Sequence, residues 1–228
     1  MKRARPVIAI DGPAGAGKST AARLLAKRLG YKLVDTGALY RGVAFISKER
    51  GIAPDDPEGL ASLARSLKLD FRADEEGRSR LLIDGVDRDD AIRNELVAAL
   101  ASRISQLPEL RAALLELQRR FGKDGGVVLE GRDIGTVVFP DAEVKVFMTA
   151  DPAERARRRA KELIERGQPA DLKEIEASIR ERDAVDEGRE VAPLRPAEDA
   201  IRIDSTALEI DAVVDRLAKI VEEKEAGR

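Results

Sequence analysis

The chain has 228 residues, a net charge of −2, 43% hydrophobic and 37% charged residues, and neither Cys nor His. That length supports one substantial core carrying an excursion or two. The composition excludes disulfides, thiol nucleophiles and any imidazole base or ligand, and the charge balance gives no case for nucleic-acid binding.

Val7 to Ile10 is an apolar run that reads as a buried parallel strand. Gly12, Pro13, Ala14, Gly15, Ala16, Gly17, Lys18 and Ser19 follow as G-x-x-x-x-G-K-S, the spacing of a phosphate-cradling loop. Glycines let backbone N–H groups approach an anion, and Lys18 adds a mobile cation. The Ser19 hydroxyl is suited to Mg²⁺. Ala21, Leu24, Leu25 and Leu29 then mark a helix stopped by Gly30. Tyr31 to Val34 is a second strand, ending at Asp35, and Leu39, Val43 and Ile46 give the next helix its buried stripe. Leu60, Leu63, Ala64 and Leu67 predict a short helix. Alternation over Leu67 to Arg72, the Asp74 to Gly77 turn, Leu81 and Ile83, and Asp84-Gly85 before Val86 predict a small antiparallel sheet.

Helical spacing resumes from Ala91 to Ser105 and again from Pro108 to Gly122. Val127 to Leu129 is a buried strand that runs into Glu130, Gly131, Arg132 and Asp133, and Val144 to Met148 is the next. A charged helix over 152–166 ends at Gly167 and Pro169, and another runs from about Leu172 to Arg182. Ala200 to Ile203 is the last strand, with Asp204, Ser205 and Thr206 expected to cap the closing helix. Strands alternating with helices imply an α/β, three-layer architecture with a central parallel sheet. Ligands of such sheets bind at the carboxyl ends of the strands, so the glycine loop, Asp35, Glu130 to Asp133 and Asp204 are expected at one rim.

Three charged constellations stand out. Glu130 ends a buried strand beside the phosphate loop, where it suits an Mg²⁺ hydration shell, with Asp11 as a second candidate; the bland alternative is an ordinary strand-end carboxylate. Arg132 and Asp133 either pair with each other or serve a ligand, Arg being the side chain that grips phosphate bidentately. If the segment is helical, Arg182, Asp186 and Arg189 fall on one face, and spacing alone favours a solvated, salt-bridged surface there. Arg155, Arg158 and Arg159 fit i,i+4 pairs (Glu154 with Arg158, Arg158 with Glu162) as well as a mobile lid that neutralises a transferring phosphoryl group. No apolar stretch approaches the roughly 20 residues needed to span a bilayer. The basic start from Met1 to Arg5 leads straight into the first strand, so a cytoplasmic location is expected. The few side-chain amides, Asn94, Gln106, Gln118 and Gln168, together with dense charge suggest a warm habitat.

Ile10 to Thr20, Asp35 to Arg41 (D-T-G-A-L-Y-R), Glu130 to Pro140 (E-G-R-D-I-G-T-V-V-F-P), Glu181 to Asp183 and Val191 to Leu194 together resemble the bacterial cytidylate kinase family over nearly the whole chain. The Arg132-Asp133 block is more specific than the phosphate loop. The resemblance implies a P-loop kinase fold with a core (about 1–35, 107–151 and 190–228), an acceptor-binding region with the inserted sheet (36–106) and a short helical lid (152–189). It implies transfer of the ATP γ-phosphate to CMP or dCMP with Mg²⁺, in a monomer. Gly12 to Thr20 would hold ATP, with Ser19 and Glu130 at the metal. Ser102, Arg111 and Asp133 would meet the cytosine, with Thr36 and Tyr40 lining the pocket. Arg182 and Asp186 would meet the sugar, and Arg41, Arg132 and Arg189 the acceptor phosphate. Lys18, Arg132, Arg158 and Arg189 would act on the transferring group. Thr36 stands where Ser is frequent in the family, and Glu130 where Asp is frequent. A kinase for UMP, AMP or a non-nucleotide acceptor, or a nucleotide-driven switch, are the alternatives. The only Asn, Asn94, is followed by Glu95, so the guanine-reading N-K-x-D motif is absent.

Overall fold

Five apolar strands build a wholly parallel sheet: β1 (Val7–Asp11), β2 (Lys32–Asp35), β6 (Val127–Gly131), β7 (Val144–Thr149) and β8 (Ile201–Asp204), in the order β2-β6-β1-β7-β8. A computed structural model describes residues 3–165 and 167–227. Val7, Ile8, Ala9 and Ile10 are fully buried because helices cover both faces of the sheet. On one face α1 (Lys18–Leu29) and α8 (Ile210–Ala226) lay Leu25, Leu217 and Val221 against Ile8, Ile10 and Val146. On the other, Val7, Ala9, Val34 and Leu129 meet Phe139 and a π-helical turn, Ile134–Val138.

The excursion between β2 and β6 holds α2 (Thr36–Glu49), α3 (Pro57–Ser66), β3 (Leu69–Ala73), β4 (Ser79–Ile83), β5 (Val86–Asp87), α4 (Glu95–Ile104) and α5 (Pro108–Gly122). Strands β3, β4 and β5 form the expected antiparallel sheet, with Leu69 opposite Ile83. Asp84 and Gly85 turn the hairpin at φ 52° and 82°, both left-handed, as a tight turn of this kind requires. Leu69, Leu81 and Ile83 share a second core with Leu39, Leu60, Ile104, Leu110 and Leu114. Gly42 on α2 makes this contact close, since a Cβ there would lie 2.7 Å from Leu81. After β7 come α6 (Pro152–Glu165) and α7 (Leu172–Glu187).

Caps fix where the helices start. Asp35, Asp56, Asn94 and Asp171 each accept backbone N–H bonds in the first turn that follows. Asn94 therefore begins α4 at Glu95, and residues 91–94 are a turn rather than the helix expected from Ala91. Helix α7 runs five residues beyond the expected Arg182, to Glu187. The expected cap at 204–206 is not one: α8 starts at Ile210, and Asp204 accepts the Thr206 N–H in a turn of its own. The π turn has no apolar period and was not expected; it is set by the Asp11 carboxylate, which accepts the N–H groups of Ile134 and Gly135 at 2.8 and 2.7 Å. No described helix is long and apolar enough to cross a membrane.

Leu114 is fully buried in the second core. Leu114→Ala is expected to cost about 2–5 kcal/mol of stability through lost burial and a residual cavity. Urea unfolding checks this: the midpoint falls with the slope unchanged.

Candidate active site

The loop from Gly12 to Ser19 carries the strand-to-helix turn on three glycines at positive φ: Gly12 at 145°, Gly15 at 76° and Gly17 at 84°. A Cβ on Gly12 would fall 2.0 Å from the Met148 carbonyl of β7, so only glycine lets the loop lie this close to the sheet. Lys18 is buried, and its ammonium donates to the Pro13 carbonyl at 2.7 Å. Burial, then the nearby Arg132, brings its pKa down to about 7, against the opposing pull of Glu130 and Asp11. A phosphate placed in the loop would restore the charge.

The acids at the strand ends lie beside it. Glu130 faces Asp35 across the β2–β6 pairing, and Ser19 Oγ donates to Glu130 Oε2 at 2.8 Å. Burial and the neighbouring Asp35 push the Glu130 carboxyl up to about 7. Burial likewise raises Asp11 to about 6, against the two amides of the π turn. Ser19 and Glu130 are hard oxygen donors, and no group of three or more metal-binding side chains gathers among the described residues. One carboxylate and one hydroxyl suit Mg²⁺, which keeps water and substrate phosphates as its other ligands. Thr36 Oγ1 donates to the Glu130 carbonyl at 2.7 Å and so fixes the end of β6. Asp204, expected at this rim, is exposed and engaged with Thr206.

Beyond Lys18 lies a dense cationic cluster. Arg132 Nε donates to Asp186 at 2.7 Å, and Arg189 pairs with the other oxygen of the same carboxylate. Arg182 is close enough to Arg132, Arg41 and Arg189 for their repulsion to be felt: burial, then Arg132, brings its pKa down to about 10. Arg41 pairs with Asp35 at 2.6 Å. The Nε atoms of Arg41, Arg182 and Arg189 are buried without hydrogen-bond partners. The solvated face favoured for 182–189 by spacing alone is thus a half-buried site, with Asp186 1% exposed.

Arg132 and Asp133, adjacent in sequence, turn to different partners. Asp133 forms a buried pair with Arg111, which also donates to the Ser105 carbonyl at 3.1 Å. The Arg111 guanidinium lies 5.6 Å from the Tyr40 ring centroid. Ser102 stands one turn before Ser105 on α4; its carbonyl accepts the Ser105 hydroxyl at 2.9 Å. Arg158 on α6 bonds to Glu154, to Ser205 Oγ at 3.1 Å and to the Ser205 carbonyl at 2.6 Å. Its guanidinium would lie 3.7 Å from a Cβ on Gly17, so it faces the phosphate loop. Glu162 pairs with Arg159, not with Arg158 as its spacing suggested.

Three residues escaped the sequence reading. Arg93 pairs with Asp89 at 2.6 Å and reaches Asp35 at 3.6 Å, beside Glu130. Ser105 joins Arg111 to Arg189, whose N–H reaches its hydroxyl at 3.4 Å. Ser205 donates to the Ala16 carbonyl of the phosphate loop at 3.0 Å. Only Arg93 had a local signal, the Asp89 four residues before it.

Burial pushes the Asp35 carboxyl up, but Arg41 and Arg93 outweigh it and hold the pKa below the ordinary value. A depressed carboxylate contributes stability in full above its unfolded pKa of about 4, and that contribution is lost as pH falls through the lower folded value. The stability gap between wild type and Asp35→Asn is therefore expected to be widest above about pH 4 and to close in stronger acid. Thermal unfolding across that range checks it; a gap independent of pH would contradict it.

The cytidylate kinase family model matches residues 8–223. A cytidylate kinase from Geobacter sp. (strain M21) is 53% identical over 218 residues, spanning 96% of this chain and 93% of that one. The cytidylate kinase of Geobacter sulfurreducens is 52% identical over 219 residues, spanning 96% and 94%. The bifunctional pantoate ligase/cytidylate kinase of Synechococcus elongatus is 48% identical over 227 residues, which cover 98% of this chain and 43% of that longer one. Among solved structures, an uncharacterized protein from Eubacterium ventriosum aligns over 96% of this chain and 99% of its own with a TM-score of 0.50 at 13% identity, a likeness of fold alone. With the phosphate loop, the strand-end acids and the arginine cluster at one rim of the sheet, and with this match along almost its whole length, the chain belongs to the cytidylate kinase family.

Proposed function

We propose that the protein transfers the γ-phosphoryl group of ATP to CMP and dCMP, giving ADP and the pyrimidine nucleoside diphosphate. The observation that carries this is the excess of positive charge beyond Lys18: Arg41, Arg132, Arg182 and Arg189 crowd together, with three buried Nε–H groups unpartnered. Such a pocket is incomplete without an anion, and a nucleoside monophosphate supplies one next to the donor loop.

The backbone N–H groups of the Gly12–Thr20 loop, Pro13 excepted, and the Lys18 ammonium hold the donor phosphates. Ser19 and Glu130 would hold Mg²⁺, which when bound would supply charge neutralisation at the donor phosphates. Arg41, Arg132 and Arg189 orient the acceptor phosphate so that its oxygen attacks the γ-phosphorus as the bond to the β-phosphate oxygen breaks. Arg158, facing Gly17, neutralises the charge that moves with it. A monophosphate is already anionic near neutral pH, so no general base is needed, in keeping with a chain without His. Residues 152–189 act as the lid that keeps water from competing.

Base selection rests on Asp133 and Arg111. Cytosine presents an amino donor beside ring N3 and O2 acceptors; a carboxylate beside a guanidinium is the complementary pair. Uracil presents O4 and N3–H in their place and would leave both groups mispaired in a buried site. Ser102 completes the cytosine edge, Thr36 and Tyr40 line the pocket, and Arg182 and Asp186 take the sugar. The working unit in this reading is a monomer. Freely diffusing nucleotides as both substrates support a cytoplasmic location.

A panel of CMP, dCMP, UMP and AMP with ATP tests the reading, with CMP and dCMP expected to react fastest. Faster turnover of UMP or AMP would reassign the acceptor, and nucleotide binding without transfer to any monophosphate would favour a switch. Lys18→Ala is expected to cut kcat by about 10²–10³, the scale of losing one preorganised charge-stabilising group, with little loss of fold. Asp133→Ala is expected to raise KM for CMP selectively; an unchanged CMP response would remove Asp133 from the base pocket.

A further inference from the structure

Arg155 has no role in that scheme, yet it is 3% exposed, among the most deeply buried charges in the protein. It lies in the first turn of α6, and its guanidinium joins three elements. Nε donates to the Ala150 carbonyl at 2.9 Å, one terminal nitrogen donates to the Ala14 carbonyl of the phosphate loop at 3.1 Å, and the other pairs with Asp183 of α7 at 2.6 Å. The loop is shaped for this contact, since a Cβ on Gly15 would come within 3.1 Å of the Arg155 Cβ. Asp183 is one turn before Asp186 on the same helix face and adjacent to Arg182. Its other carboxylate oxygen is buried without a partner.

We propose that Arg155 is a positioning residue that couples the two nucleotide sites: the bridge from Ala14 through Arg155 to Asp183 makes each nucleotide bind more tightly when the other is present. In a trans peptide the C=O and N–H point in opposite directions, so the bond to the Ala14 carbonyl aims the Gly15 N–H away from Arg155. A cationic donor on that carbonyl also polarises the amide toward an anion. When Asp186 and Arg182 engage an acceptor they fix α7, and with it Asp183. A planar guanidinium held at three points cannot follow both partners independently. An acceptor that settles α7 therefore settles the loop amide, and by linkage a donor phosphate in the loop settles α7 to the same extent. The proposal rests on the acceptor role given above to Arg182 and Asp186.

Titration calorimetry of the whole chain with a non-hydrolysable ATP analogue, with and without saturating CMP, tests it. Wild type is expected to show an enhancement in the range of about 5- to 150-fold. Arg155→Lys and Asp183→Asn should each lose most of it. Affinity for the analogue alone should fall only in Arg155→Lys, because Asp183→Asn keeps both carbonyl bonds. Arg157→Ala, an exposed neighbour, should retain the enhancement. A purely structural role would lower both affinities and melting temperature together and leave the enhancement intact; that result, or an absence of enhancement in wild type, overturns the proposal. Asp183→Asn carries the test should Arg155→Lys not fold. Turnover of the monophosphate panel by the same wild-type preparation separates the two readings: were another monophosphate the acceptor, the titration is run with it.

Discussion

Crowding of like charge at the carboxyl rim of the sheet governs this structure. Arg132 and Arg182 help lower the pKa of Lys18, and Arg132, Arg41 and Arg189 help lower that of Arg182, while Asp186 pairs with Arg132 and Asp35 with Arg41. Buried ion pairs contribute little net stability once desolvation is counted, and a cluster with too few acids contributes less. A core built only for stability would replace it with apolar side chains. Its persistence makes sense if substrates bring the missing negative charge, so that binding free energy offsets what folding leaves unsatisfied.

The backbone decides where those charges stand. Asp11 ends β1 and, by accepting the amides of Ile134 and Gly135, ties the donor strand to the turn that presents Asp133. Thr36 ties the start of α2 to the end of β6 through the Glu130 carbonyl. Gly131 allows this, because a Cβ there would lie 2.7 Å from both Thr36 Oγ1 and Ile134 Cδ1. The strand that leads into the phosphate loop, the Glu130 strand end and the turn carrying Asp133 are thus joined by short bonds. A shift in one is felt in the next, as phosphoryl transfer requires when most of its barrier is lowered by positioning.

How much of this was legible in the sequence follows from what period and spacing encode. The phosphate loop, the buried strands and the inserted hairpin were legible because each is a local pattern with a local cause. The Glu154–Arg158 pair was legible in the same way, but the charged partners distant in sequence were not. Arg132 and Asp133 are neighbours in the chain, yet one reaches Asp186, 54 residues on, and the other Arg111, 22 residues back. Spacing placed Arg182, Asp186 and Arg189 on one face but could not say whether that face met water or the sheet. The Asp204 to Thr206 segment carries a cap's composition and makes a turn instead, because Ser205 is drawn to Ala16 and Thr149 while α8 begins four residues later. The kinase resemblance grouped Arg132, Asp133, Arg182, Asp186 and Arg189 where spacing could not, and their contacts draw these residues together.

Burial that looks wasteful on stability grounds also serves the chemistry. A transferring phosphoryl group is exposed to water at far higher concentration than any nucleotide, and the acceptor wins only where water is excluded. Lys18, Glu130, Asp133 and Asp186 are all buried. Glu95 of α4 pairs with Arg159 of α6, whereas Arg155 and Asp183 join α6 to α7. The exposed pair is screened and weak, whereas the buried one resists separation. On the reading of 152–189 as a lid, a weak contact to α4 and a firm one between its own two helices would let it move as a unit and leave the α6–α7 packing intact.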